Sequence, residues 1–138
     1  MDMHSINYYN TFIEIAPDSP TAKGEMPPLK GEKKSIANLQ FEMLHENPYK
    51  YTSDDVLFGV FATRQNFDEH ELEEQREQYF SKGRPCLRAS PLTKKFGWGV
   101  HADEEGKIAI YGAETEEYKD FLEDDSIKKV KAMRTKRK

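Results

Sequence analysis

The sequence predicts an α+β domain: three or four mostly antiparallel strands with helices packed on one face. Three observations carry this reading. Trp98-Gly-Val-His-Ala102 and Lys107-Ile-Ala-Ile-Tyr111 flank Asp103-Glu-Glu-Gly106, a short connection closed by glycine, as a β-hairpin requires. Several Ser or Thr residues stand directly before apolar residues at helical spacing. Helical and extended segments follow one another without the strict alternation of a parallel βαβ fold.

The elements follow in order. Tyr8 to Ile15 is aromatic and β-branched, with Tyr9, Thr11, Ile13 and Ile15 on one face and Tyr8, Phe12 and Glu14 on the other, so it reads as a strand. Residues 16–34 hold four prolines and two glycines among many charges and form a long surface loop. Ser35 caps a helix with Ile36, Leu39, Met43 and Leu44 as its apolar stripe, and Asn47-Pro48 ends it. Thr52 or Ser53 caps a second helix whose first turn carries Asp54 and Asp55. A third runs from about Asp68 to Lys82 and stops at Gly83. Cys86 to Ala89 reads as a short strand, and Ser90-Pro91 opens a short helix that Gly97 terminates. After the hairpin, Thr115 caps a helix to Leu122, and Ser126 begins a basic terminal helix with Ile127, Val130 and Met133 on one side.

A chain of 138 residues with 36% hydrophobic and 12% aromatic content builds one domain, expected over residues 1–125, with 126–138 as a basic helix or tail. No apolar run approaches the roughly 18 residues of a membrane span, and the first residues lack the basic and apolar stretches of a secretion signal. The single Cys86 excludes an intrachain disulfide and a thiolate-rich zinc site. A reducing cytoplasmic location is the expectation.

Charge is uneven. Residues 126–138 carry seven of the 21 basic residues and no acid, which leaves residues 1–125 at −11, with 14 basic against 25 acidic. Such a tail suits nucleic acid; the plainer reading is a helix end complementing its own dipole and the acidic body.

The candidate chemistry lies between Cys86 and Gly112. Arg88, Ser90, Lys94 and Lys95 would surround the start of the short helix with cations and free N–H groups, which favours an anion. The alternative is that Ser90 only caps, the lysines are solvated and Arg88 pairs with the acidic body. Cys86 and His101 would make a nucleophile and base if the strands brought them together, although a lone cysteine is more often a small buried hydrophobe. Glu42-x-x-His45 has the spacing of a di-iron ligand pair, but only one copy exists. His70 stands among Glu69, Glu71 and Glu74 on a solvated helix. The chain has no zinc-protease, phosphate-loop, nucleophile-elbow or dinucleotide motif, so neither a metal nor a cofactor is expected.

Tyr51-Thr-Ser-Asp-Asp-Val-Leu-Phe58, Phe80-Ser-Lys-Gly-Arg-Pro-Cys-Leu-Arg-Ala-Ser-Pro-Leu92, Phe96-Gly-Trp-Gly-Val-His101 and Met133-Arg-Thr-Lys-Arg137 resemble a family of small uncharacterised bacterial proteins, a domain of unknown function. The resemblance spans nearly the whole chain. It implies one domain in a bacterial cytoplasm and carries no activity, cofactor or catalytic residue.

The residues themselves point first to a non-catalytic binding module. It would take a small anionic ligand or a protein partner on a face bearing Arg88, Trp98, His101 and Tyr111, with the proline-rich loop as its cover. A small enzyme using His101 as acid or base and Arg88 as anion anchor is the alternative. Nucleic-acid contact through the basic terminal segment stands third.

Overall fold

Four of the capping residues marked in the sequence are built as marked. The computed structural model describes residues 4–135. Its elements are β1 (Thr11–Glu14), α1 (Ile36–Glu46), α2 (Ser53–Gln65), α3 (Leu72–Tyr79), α4 (Pro91–Lys95), β2 (Trp98–Ala102), β3 (Ile108–Gly112), α5 (Glu116–Glu123) and β4 (Lys128–Lys131). The Ser35 hydroxyl accepts the Asn38 N–H at 3.1 Å while the Asn38 side chain accepts the Ser35 N–H, a reciprocal cap that opens α1. Thr52 and Asp55 repeat this at α2. Ser90 and Thr115 accept from Leu92 and Tyr118 at the starts of α4 and α5. Each such cap contributes about 1 kcal/mol by satisfying N–H groups that the helix leaves over.

The sheet has the order β3-β2-β1-β4. The hairpin pairs β2 with β3 and β1 joins β2, both antiparallel; β4 lies parallel to β1. Successive side chains alternate between two layers. Ile13, Val100, Ala102 and Ile108 meet Phe41, Leu44, Val56 and Leu92 of α1, α2 and α4 in the main core. On the opposite face Phe12, wholly buried, meets Tyr118 at 4.9 Å and Phe121 at 5.0 Å between ring centres. So α1, α2 and α4 cover one face as expected, and α5 adds a helix on the other. Burying side chains of this size contributes about 1.5–3 kcal/mol each.

Several segments differ from the expectation. Cys86 to Ala89 is not a strand: Leu87–Ala89 is a 3-10 turn, because Ala89 and Ser90 N–H groups donate to Cys86 and Leu87 carbonyls and Leu87 is buried in the core. The basic terminal helix is not formed either. Lys128–Lys131 is an edge strand, held by Lys128 N–H to the Asn10 carbonyl and Ala132 N–H to the Glu14 carbonyl at 2.9 Å each. Unpaired β1 backbone, with Val130 able to reach the core, outweighs a short lysine-rich helix that has little to bury. Residues 136–138 of that segment lie outside the described residues. The third helix begins later, with a 3-10 turn at Glu69–Glu71 before α3. In α1 the buried stripe is Ala37, Phe41 and Leu44 rather than one led by Ile36, which is 41% exposed.

Between Glu14 and Ile36 there is no helix or strand, yet the segment is strapped to the body. Ala16 N–H donates to the Thr93 carbonyl, Glu25 N–H to Phe96, and Gly24 N–H to the Glu114 carboxylate at 2.9, 2.8 and 2.9 Å. Gly97, at φ +76°, lets this strap pass: a side chain there would collide with the Lys23 carbonyl. No helix among the described residues is long and apolar enough to cross a membrane.

Candidate functional site

The residues singled out between Cys86 and Gly112 separate onto distinct surfaces. Ser90 is buried, with its hydroxyl accepting from Leu92 N–H and donating to Gln40 Oε1 at 2.5 Å. Arg88 turns to the sheet edge, where its Nε donates to the Lys131 carbonyl at 2.6 Å. The side chains of Lys94 and Lys95 make no hydrogen bond or ion pair among the described residues. Trp98 faces α1, packing on Phe41 and His45, and its indole N–H donates to the Glu25 carbonyl in the strap at 2.8 Å. His101 and Tyr111 lie on the other face, under α5. The sheet therefore stands between Trp98 and the His101–Tyr111 pair.

That pair belongs to an aromatic cluster. The His101 ring stacks on Phe121 with centres 4.3 Å apart, and Tyr49 Oη lies 2.8 Å from both His101 Nδ1 and Tyr111 Oη. Tyr49 arrives around the outer edge of β3, where its N–H donates to the Ile108 carbonyl, and it adopts a left-handed φ of +58° to do so. Burial lowers the His101 pKa below the usual imidazole value, against the opposing pull of Asp103 and Asp124. Burial, then the Tyr111 hydrogen bond, pushes the Tyr49 phenol well above its ordinary range. The imidazole is thus oriented between the Tyr49 hydroxyl, itself bonded to Tyr111, and the Phe121 ring.

Cys86 is elsewhere. Its Sγ lies 3.1 Å from Tyr8 Oη, whose pKa is raised to about 12 by burial and by this contact. It borders a cavity of about 290 Å³ on the α1–α2 side of the molecule, away from His101. The apolar walls are Ile36, Leu57, Val60, Phe61, Pro85 and Pro91. Gln40, only 2% exposed, and Ser90 are the buried polar residues of the lining, which also includes Gln65 and Tyr79. Gln40 Oε1 is taken by Ser90, but its amide nitrogen donates to no group among the described residues and remains accessible. It is therefore open to the cavity. Arg64 stands at the rim, exposed and without an ion pair among the described residues.

The remaining candidates have structural employment. Glu42 pairs with Lys34 at 2.9 Å and His45 stacks on Phe41, so the Glu-x-x-His pair does not converge on a shared site. Asp68, His70 and Glu71 bring ligand atoms within 4.8 Å of one another, but Glu71 accepts the Asp68 N–H as a cap and Asp68 and His70 are exposed.

A family model described as a family of unknown function, DUF6157, matches residues 3–138. The chain belongs to that family. No curated protein and no solved structure matches it. The match to DUF6157 spans every residue that the structure describes.

Tyr49, Gln40 and Arg64 were not singled out from sequence. Gln40 did leave a trace there: a polar residue between Ala37, Phe41 and Leu44 stands where a helix buries its apolar face. Tyr49 left none, because its role depends on the chain wrapping the β3 edge.

Proposed function

We propose that this protein is a non-catalytic binding module for a small molecule seated in the cavity between α1, α2 and α4. The observation that carries this reading is the amide nitrogen of the buried Gln40, accessible and without an acceptor among the described residues, beside an apolar space of about 290 Å³. Ligand sites combine apolar walls with a few placed polar groups in this way. A donor left open in this way is available to an acceptor oxygen of a ligand. The anion site imagined around Arg88, Lys94 and Lys95 has less support, since Arg88 is committed to β4. His101 as acid or base also has less support, because Nδ1 is engaged by Tyr49 and the ring is covered by Phe121.

The test is an amide-NMR titration with acetophenone, an aryl ketone offering an apolar body and one acceptor oxygen. Saturable shifts at Ile36, Val60 and Ala89 are expected. Ala89→Phe, which fills the space, should abolish them, and Gln40→Met should weaken binding while the spectrum stays folded. Absence of shifts at millimolar acetophenone would overturn the reading.

A further inference from the structure

The geometry points to one class of occupant for this cavity: an amphipathic monocarboxylate, with its apolar body inside and its carboxylate at Arg64. The inference rests on the binding reading above and adds the charge and size of the ligand.

Size follows from volume. An apolar cavity of about 150 Å³ holds benzene, so the space here, about 290 Å³, suits roughly a dozen non-hydrogen atoms. Charge follows from the lining. The chain has 25 acidic residues against 21 basic ones, yet the cavity is bordered by Arg64 and by no Asp or Glu. The wider groove between α2 and α3, of about 900 Å³, contrasts with it: Asp55 and Glu73 line that groove, and Asp55 already holds Arg76 at 2.9 Å. Arg64 has no such partner among the described residues and projects from the last turn of α2. A carboxylate must stay near solvent to avoid the cost of burial, and the rim position of Arg64 meets that condition. A guanidinium offers two parallel N–H groups that match a carboxylate, which a lysine would not. At the inner end the Gln40 amide would take a neutral oxygen or face the ring of the ligand, so a second charge inside the cavity is disfavoured.

The experiment compares phenylacetate with the isosteric neutral phenylacetamide by isothermal calorimetry and amide NMR on the intact protein. Phenylacetate should bind wild type about fivefold tighter, the scale a rim ion pair supports, and 0.5 M salt should erase the difference. Arg64→Gln should remove the preference by lowering phenylacetate affinity more than phenylacetamide affinity. Ala89→Phe should abolish both. Equal affinity of the two probes, or a preference that survives Arg64→Gln, would overturn the carboxylate inference while the cavity reading stands. Failure of both probes while acetophenone binds would likewise overturn the carboxylate inference alone, and failure of acetophenone would overturn the cavity reading itself.

Discussion

Arg88 Nε donates to the carbonyl of Lys131 at 2.6 Å, and Met133 N–H returns to the Arg88 carbonyl at 2.8 Å. A side chain suited to anchoring a ligand instead fastens the edge strand. Arg88→Ala should therefore lower stability by about 0.5–1.5 kcal/mol and accelerate amide exchange along Lys128–Lys131 first. Unchanged exchange in β4, with stability lost elsewhere, would show that the staple is immaterial.

Acidification should weaken the fold through His101. Its folded pKa lies below the ordinary 6.5, so the unfolded chain takes up the proton first. Stability from this residue is complete above about pH 6.5 and is lost as pH falls toward the folded value. The urea midpoint should drop between pH 7.5 and 5.5, and His101→Gln should flatten that drop; parallel slopes in the two proteins would refute the assignment.

Gly97→Ala tests the strap. The backbone at φ +76° disfavours any side chain, by roughly 1–3 kcal/mol, and the new methyl would displace the Lys23 carbonyl. Denaturant unfolding should register a loss of at least that size, accompanied by changed Trp98 fluorescence as the Glu25 contact shifts. A neutral effect would mean that the strap is not held where it lies.

Ser53 offers a contrary case. It is wholly buried at the start of α2, and its hydroxyl has no hydrogen-bond partner among the described residues. Most core substitutions destabilise, but Ser53→Ala should be neutral or raise stability by up to about 1 kcal/mol, since it removes a desolvated hydroxyl and improves helix propensity. A thermal melt decides it, and a lower midpoint would point to a hidden partner.

Local signals were legible in the sequence where one short stretch decides the outcome. Ser35, Thr52, Ser90 and Thr115 cap helices from their own neighbours, and Gly106 closes a hairpin within a few residues. What sequence misplaced depends on distant chain. Lys128–Lys131 has no intrinsic reason to be extended; β1 makes it so. Site residues follow the same division. Ser90 was found as a cap, while its bond to Gln40 joins residues fifty positions apart and needed the fold to be seen. Trp98 and His101 were recognised as notable, but alternation along β2 sends them to opposite layers once both faces are covered.

Because β4 completes the sheet by lying against β1, the first strand of the described fold waits for its last. Until Lys128–Lys131 has been made, Thr11–Glu14 offers a bare backbone rim to any passing extended peptide. Closure of so long a loop also slows folding relative to a protein of neighbouring pairings. Nascent chains halted before Lys128 should be the ones that chaperones retain, and the four lysine-rich residues that follow are the seal.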